Sequence, residues 1–233
     1  MIIESKAPTR IDLAGGTIDI WPLYLFHHGA VTINAAINLY ATAKLKPRDD
    51  KKIIIESKDQ GKRVNAASIN KLNAAKGLEL ITELIRFYSP KQGFHLITDC
   101  AAPAGSGIGG SSSLNIALNS TLNRFTDNRY SKKEILTIAK NIEARVIGVP
   151  TGEQDYYPAL FGGVNIIRLE DKGVTREKIN IHIKELERRL ILCFTGEPRA
   201  SGTNNWQIMK KHIDGDKAVY QKMESIKQTA QKM

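Results

Sequence analysis

Residues 103 to 113 read Pro-Ala-Gly-Ser-Gly-Ile-Gly-Gly-Ser-Ser-Ser, and no other run constrains the fold as strongly. Gly105, Gly107, Gly109 and Gly110 fall within six residues, so the backbone can turn tightly there and come close to a ligand. A β-rich run, Phe94 to Thr98, precedes the glycines. Apolar residues at helical spacing follow them: Leu114, Ala117 or Leu118, Thr121 or Leu122, and Phe125. The pattern predicts strand, glycine loop, then a helix that opens at the serines. The free N–H groups and positive dipole end of such a helix make an anion site. The serine hydroxyls can donate to phosphate or ligate a hard cation. A glycine-rich turn that binds nothing is the other reading of the same residues.

Several phosphate loops compete for this run. Walker A requires a lysine after the last glycine, and none follows here. Gly105 to Gly110 does satisfy G-x-G-x-x-G. A dinucleotide site also wants an acidic residue about 20 positions on, closing a second strand. Asp127 is near that spacing but sits in a Thr-Asp-Asn-Arg turn. The nucleophile elbow G-x-S-x-G is not matched. A nicotinamide-dependent oxidoreductase therefore rests on one weak match.

The rest of the chain alternates strand and helix patterns. Residues 1–6 and 10–14 read as short strands broken by Pro8, and 31–45 as one or two strands. Residues 53–57, 161–169 and 190–194 also read as strands. Helical stripes run through 74–88, 204–213 and 216–232. Another opens with Ser131-Lys-Lys-Glu134, a capping-box pattern, and stops at Gly148 and Pro150. With 233 residues, 42% of them hydrophobic, the chain can fill a core without a disulfide or metal staple. No apolar run approaches the ~20 residues of a membrane span, and the opening MIIESKAPTR lacks the n- and h-regions of a signal peptide. The expectation is a cytoplasmic protein with no membrane partner. The net charge of +10 is dispersed, without aromatic-interleaved basic stripes, so no nucleic-acid partner is expected. Cys100 and Cys193 stand alone in apolar runs, and both are expected to be buried and inert.

Two further segments could carry chemistry. Glu143 lies on the predicted third helix, and Gly148-Val-Pro-Thr-Gly-Glu-Gln-Asp155 follows it. The carboxylates of Glu143 and Asp155 could converge on one cation or one hydroxyl. Taken alone, Glu143 reads first as a solvated helix residue. Asp155 reads either as a general base or positioning group, or as the N-cap of a helix starting at Tyr156. In Pro8-Thr-Arg-Ile-Asp-Leu-Ala-Gly-Gly-Thr-Ile-Asp19 a strand runs into Gly15-Gly16 and presents Thr17 and Asp19 near Arg10 and Asp12. A carboxylate there can accept from two neighbouring hydroxyls, which suits a polyol. A plain strand and turn is the alternative.

Together the three segments resemble the GHMP kinase superfamily. PAGSGIGGSSS is similar to its second, phosphate-binding motif, and APTRIDLAGGTID to its first. The combination of Thr9-Arg10, Gly15 to Asp19, Gly105 to Leu114, Gly152 to Asp155 and Phe161-Gly-Gly163 resembles the sugar-kinase branch of the heptose-phosphate type. The resemblance covers residues 1 to about 210. It implies transfer of the ATP γ-phosphoryl group to a sugar or sugar phosphate, with ATP and magnesium as cofactors and a heptose-phosphate-like acceptor. An impaired nucleotide- or sugar-binding protein of the same fold, or a kinase for galactose or fucose, stays open.

Carried over position by position, the resemblance implies that Pro103, Gly105, Ser106, Gly107, Gly109, Gly110, Ser111 and Ser112 surround the ATP phosphates. Ser111 and Glu143 would bind magnesium. Asp155 would orient or deprotonate the acceptor hydroxyl, and Arg10 would stabilise charge. Arg10, Gly15, Gly16, Thr17 and Asp19 would contact the sugar. The implied fold is α+β in two domains. Residues 1–185 would form the ATP-binding domain, ribosomal-protein-like with a left-handed β-α-β unit. Residues 186–233 would form the start of a ferredoxin-like C-terminal domain. The family's third glycine-rich motif has no counterpart after Gly163, so that second domain is expected to be incomplete.

Overall fold

A computed structural model describes residues 1–197 and 201–233. Its described strands form one sheet, in the order β4-β3-β5-β2-β6-β7, with β1 alongside β2. The longest strand, β2 (Ala30–Pro47), organises the rest. Strand β1 (Ile3–Ala14) runs antiparallel along it, from Ile3 opposite Leu45 to Ala14 opposite Ile33. The other edge of β2 is shared. Strand β6 (Val164–Glu170) pairs with Ala30–Ala35, and β5 (Phe94–Cys100) pairs with Ala41–Pro47. The break anticipated at Pro8 is a register shift within one strand. Proline has no N–H for the ladder, and beside it the Thr9 hydroxyl donates to the Leu39 carbonyl at 2.9 Å.

Strand β3 (Ile53–Ser57) forms a hairpin with β4 (Lys62–Ala66) and lies parallel to β5. The chain crosses between these parallel neighbours through α1 (Glu79–Tyr88), giving a β-α-β unit. Helix α1 starts later than the stripe from 74 suggests. The Gly77 backbone is left-handed, and its N–H donates to the Glu79 carboxylate at 2.7 Å, so the helix begins beyond that turn. Strands β4 and β7 (Gly173–Ile179) have no counterpart in the sequence reading. Both are edge strands rich in charged residues; β4 turns only Val64 and Ala66 to the core, and β7 buries no residue fully, so the apolar alternation is too short to read.

Helix α2 (Gly110–Phe125) lies on the sheet, with α1 and α3 (Lys132–Ile147) beside it. Leu45, Phe94 and Leu96 of the sheet meet Leu84 and Tyr88 of α1 and Leu118 and Leu122 of α2 in one core. Full burial of each such side chain contributes about 1.5–3 kcal/mol. Helix α3 has the anticipated capping box between Ser131 and Glu134 and ends on left-handed Gly148. A short helix, α4 (Tyr156–Phe161), precedes β6, so Phe161 ends a helix and does not open the strand.

Beyond β7 come α5 (Ile183–Arg188), α6 (Ser201–Ile213) and α7 (Lys217–Lys232). The strand expected at 190–194 does not form. That apolar run finds no pairing edge, and Ile191 is 91% exposed. Cys193 is therefore exposed, contrary to the expectation of burial, and Cys100 is half-buried. Residues 198–200, within the stretch 186–233 expected to start a second domain, lie outside the described residues. Helices α6 and α7 dock back on the sheet domain. Met209 packs on Ile20 and Leu23, while buried His27 contacts His212 at 2.9 Å and Glu224 at 3.0 Å. Among the described residues no helix is long and apolar enough to cross a membrane.

Candidate active site

The loop between β5 and α2 turns through left-handed backbone at Gly105, Gly107 and Gly109. Helix α2 is capped by Gly109, which offers no side chain, so its first N–H groups stay free for a ligand. Strand β1 grips this loop. The Arg10 N–H donates to the Ile108 carbonyl at 3.1 Å, and the Arg10 guanidinium donates to the Gly107 carbonyl at 2.7 Å. The Ser113 hydroxyl donates to the Pro8 carbonyl at 2.7 Å.

Arg10 also reaches Asp155. Its Nε donates to Asp155 Oδ1 at 2.8 Å, Nη2 lies 2.5 Å from the same oxygen, and Nε is 3.2 Å from Asp12. Burial pulls the Arg10 pKa down, but the carboxylates of Asp155, Asp12 and Asp19 outweigh it and hold it above its ordinary value. Asp155 occupies the N-cap position of α4, yet its side chain makes no capping bond. The carboxylate is turned to Arg10 instead, which disposes of the capping alternative.

Glu143 is buried, which disposes of the solvated-helix alternative. It accepts from the Ser112 hydroxyl at 3.1 Å, from Asn115 Nδ2 at 3.0 Å and from the Tyr156 hydroxyl at 3.0 Å. Burial raises its pKa; bonds from Asn115 and Ser111 oppose the rise, and Asp155 adds to it. Among the described residues no cationic side chain pairs with it. A buried carboxylate beside two serine hydroxyls is a hard oxygen donor set with its charge unmatched, which fits magnesium. Described His, Cys, Asp and Glu side chains form no group of three that could hold a metal alone. Magnesium commonly takes one or two carboxylates and draws its other ligands from water and substrate phosphates, so the fit holds.

Asp19 is 1% exposed and accepts from the Gln154 N–H at 2.7 Å. Burial, opposed by that bond and reinforced by Asp155 and Asp12, pushes its pKa up to about 7. Gly152 has to be glycine here, because a Cβ would stand 2.2 Å from an Asp19 oxygen. The next turn of the chain is fixed from the other side. Asn34 Nδ2 donates to the Gln154 carbonyl at 3.1 Å, Asn165 Nδ2 donates to Asn34 Oδ1 at 3.3 Å, and Arg176 Nε donates to Asn165 Oδ1 at 2.5 Å.

These groups surround a cavity of about 640 Å³. Every residue expected around the phosphates, from Pro103 to Ser112, lines it, as do Arg10, Thr17, Asp19, Glu143 and Asp155. Gly15 and Gly16 are not in its wall. Gly15 is left-handed, and a Cβ there would stand 2.1 Å from the Val31 carbonyl, so it serves the close approach of β1 to β2. Thr17 is left-handed too, an uncommon conformation for a threonine. Asp59, Gln60, Gly77 and Leu80 line it as well, as does Asn205 of α6. Sequence patterning had no signal for these, because only the sheet topology brings the β3–β4 turn to the glycine loop.

A model of the GHMP kinases N terminal domain matches residues 71–163. D-glycero-alpha-D-manno-heptose 7-phosphate kinase from Campylobacter jejuni is 32% identical over 240 residues, covering 99% of this chain and 70% of that protein. Galactokinase from Thermotoga petrophila is 25% identical, covering 81% of this chain and 52% of its own length. Among solved structures, a D-glycero-D-manno-heptose 1-phosphate kinase from Bacteroides thetaiotaomicron superposes with a TM-score of 0.72 at 29% identity. That match spans 80% of this chain and 62% of the other.

Proposed function

The chain belongs to the GHMP kinase family, and on that premise we propose that its cavity transfers the γ-phosphoryl group of ATP to a hydroxyl of a sugar or sugar phosphate, a heptose phosphate before others. The observation that carries this reading is the junction at Arg10. One buried guanidinium holds both the phosphate-loop carbonyl of Gly107 and the carboxylate of Asp155. A group positioned on the loop and a hydroxyl positioned on Asp155 are thereby brought to one place.

In this reading the free N–H groups at the start of α2 receive the phosphates. The transition state spreads charge over the γ-oxygens, so positioning and electrostatic neutralisation do most of the catalysis. Arg10 supplies a fixed positive charge beside the reacting groups. Asp155 accepts a hydrogen bond from the acceptor hydroxyl and holds its oxygen toward the phosphorus. That hydroxyl's proton passes to the Asp155 carboxylate, and from it to solvent, as the new P–O bond forms and the bond to ADP breaks. Magnesium, held by Glu143 with the hydroxyl of Ser111 or Ser112, would neutralise phosphate charge. Thr17 and Asp19 stand on the acceptor side. Residues 1–185 then read as the ATP-binding domain and 186–233 as the first part of a second domain, in a cytoplasmic enzyme.

The test is ADP formation by the purified chain with ATP and magnesium against a panel of free and phosphorylated heptoses and hexoses. Turnover above sugar-free hydrolysis, with a heptose phosphate preferred, is the expected result. Saturable ATP binding with no sugar-dependent ADP across the panel would overturn the kinase reading in favour of a binding protein.

A further inference from the structure

Among the described residues that line the cavity, Gln154 is the one whose side chain holds a buried oxygen without a hydrogen-bond partner. The neighbouring carboxylates are engaged: Asp155 and Asp12 with Arg10, and Asp19 with the Gln154 N–H. The Gln154 backbone is fixed on both sides, by Asp19 at its N–H and by Asn34 at its carbonyl. The side-chain amide therefore does nothing to hold this loop. Its Oε1 is turned inward with no hydrogen-bond donor. Both amide atoms stand over Gly16, 3.8 and 4.0 Å from where a Cβ would be. The amide thus spans from the Asp155 loop to the turn that carries Thr17. A buried amide oxygen without a partner costs free energy, and a turn of the terminal torsion that offers it a donor recovers that cost.

We propose that Gln154 is a specificity-determining residue that reads a hydroxyl of the acceptor next to the one held by Asp155; this rests on the sugar-kinase reading above. Gln154 and Asp155 are consecutive and both line the same cavity, so their side chains can address neighbouring points of one ligand, as a vicinal diol requires. A neutral amide suits the second hydroxyl. It can accept through Oε1 and donate through Nε2, matching a group that does both. It also adds no further carboxylate to a wall that already carries Asp19 and Asp155.

The experiment uses the full chain, ATP with magnesium, and D-glycero-D-manno-heptose 7-phosphate with its singly deoxygenated analogues as probes. Gln154→Leu removes both polar atoms at similar size. It is expected to raise the acceptor KM by roughly tenfold or more while the KM for ATP and the unfolding midpoint stay put. Wild type should discriminate against one particular deoxy analogue, and Gln154→Leu should lose that discrimination. Gln154→Glu keeps an acceptor oxygen and should restore part of it. A Gln154→Leu enzyme with the wild-type acceptor KM and the wild-type ranking of analogues overturns the inference and leaves the kinase reading standing. Failure of the wild type to phosphorylate any sugar overturns both.

Discussion

Two carboxylates whose charges act on Arg10 end up in opposite situations. Both line the cavity, but Asp155 is paired with the guanidinium, whereas Asp19 is almost fully buried and accepts from a backbone N–H. The folded pKa of Asp19, about 7, lies well above its unfolded value of about 4. Between those values the folded chain binds more protons than the unfolded one, so this group makes stability fall as pH rises from about 4 to about 7. Asp19→Asn keeps an oxygen for the Gln154 N–H and removes the charge. The variant should gain on wild type through that window, by up to about 4 kcal/mol. Urea unfolding at a series of pH values checks this, and a constant difference between the two proteins would contradict it. At the same scale, Asp155→Asn should lower turnover by about 10²–10⁴-fold while ATP still binds, measured as kcat beside a titration with ATP.

The elements that the sequence made legible are those whose signal is local. The glycine loop, the start of α2 and the capping box of α3 each lie within a dozen residues, and all form as read. The Arg10–Asp155 pair joins residues 145 apart, and no pattern along the chain could place the two within a hydrogen bond. The resemblance placed both residues in one site; only the folded sheet gives their geometry. Edge strands β4 and β7 stayed hidden because charged residues cover them. The run at 190–194 misled because hydrophobicity alone does not supply a pairing partner. Where glycine pattern and packing coincide, substitution has a clear cost. Gly15→Ala would force a Cβ against the Val31 carbonyl in a left-handed conformation, and Gly152→Ala would force one onto Asp19. Each should destabilise the chain by about 2 kcal/mol or more. Gly148→Ala, also left-handed but with open space around it, should cost less, mainly backbone strain. Denaturant midpoints of the three variants rank them.

At the scale of the whole molecule, α6 and α7 are fastened to the sheet domain through a buried histidine pair. His27 meets His212 and Glu224, beside Tyr220 and Phe26, and Lys227 pairs with Glu224 at 2.5 Å. Two ring nitrogens 2.9 Å apart can share only one proton. Burial, with the charge of His27 added, holds the His212 pKa below its ordinary value. The unfolded state therefore binds the additional proton more readily, and this contribution to stability is lost as pH falls below about 6.5. His212→Gln keeps a hydrogen-bonding side chain without the titration, so its stability should fall less than wild type between pH 7.5 and 5. Equal losses would contradict the assignment. Because Asn205 of α6 lines the cavity, this docking bears on the site as well as on the fold. The central claim, that the junction of Arg10, Asp155 and the glycine loop is a phosphoryl-transfer centre, is tested most directly by following the phosphorus itself. Wild type and Asp155→Asn are incubated with γ-labelled ATP, magnesium and D-glycero-D-manno-heptose 7-phosphate. Label in the sugar product of wild type, reduced about a hundredfold or more in the variant, is the predicted result. Label that never leaves ATP for the sugar, or that moves equally fast in both proteins, would contradict it.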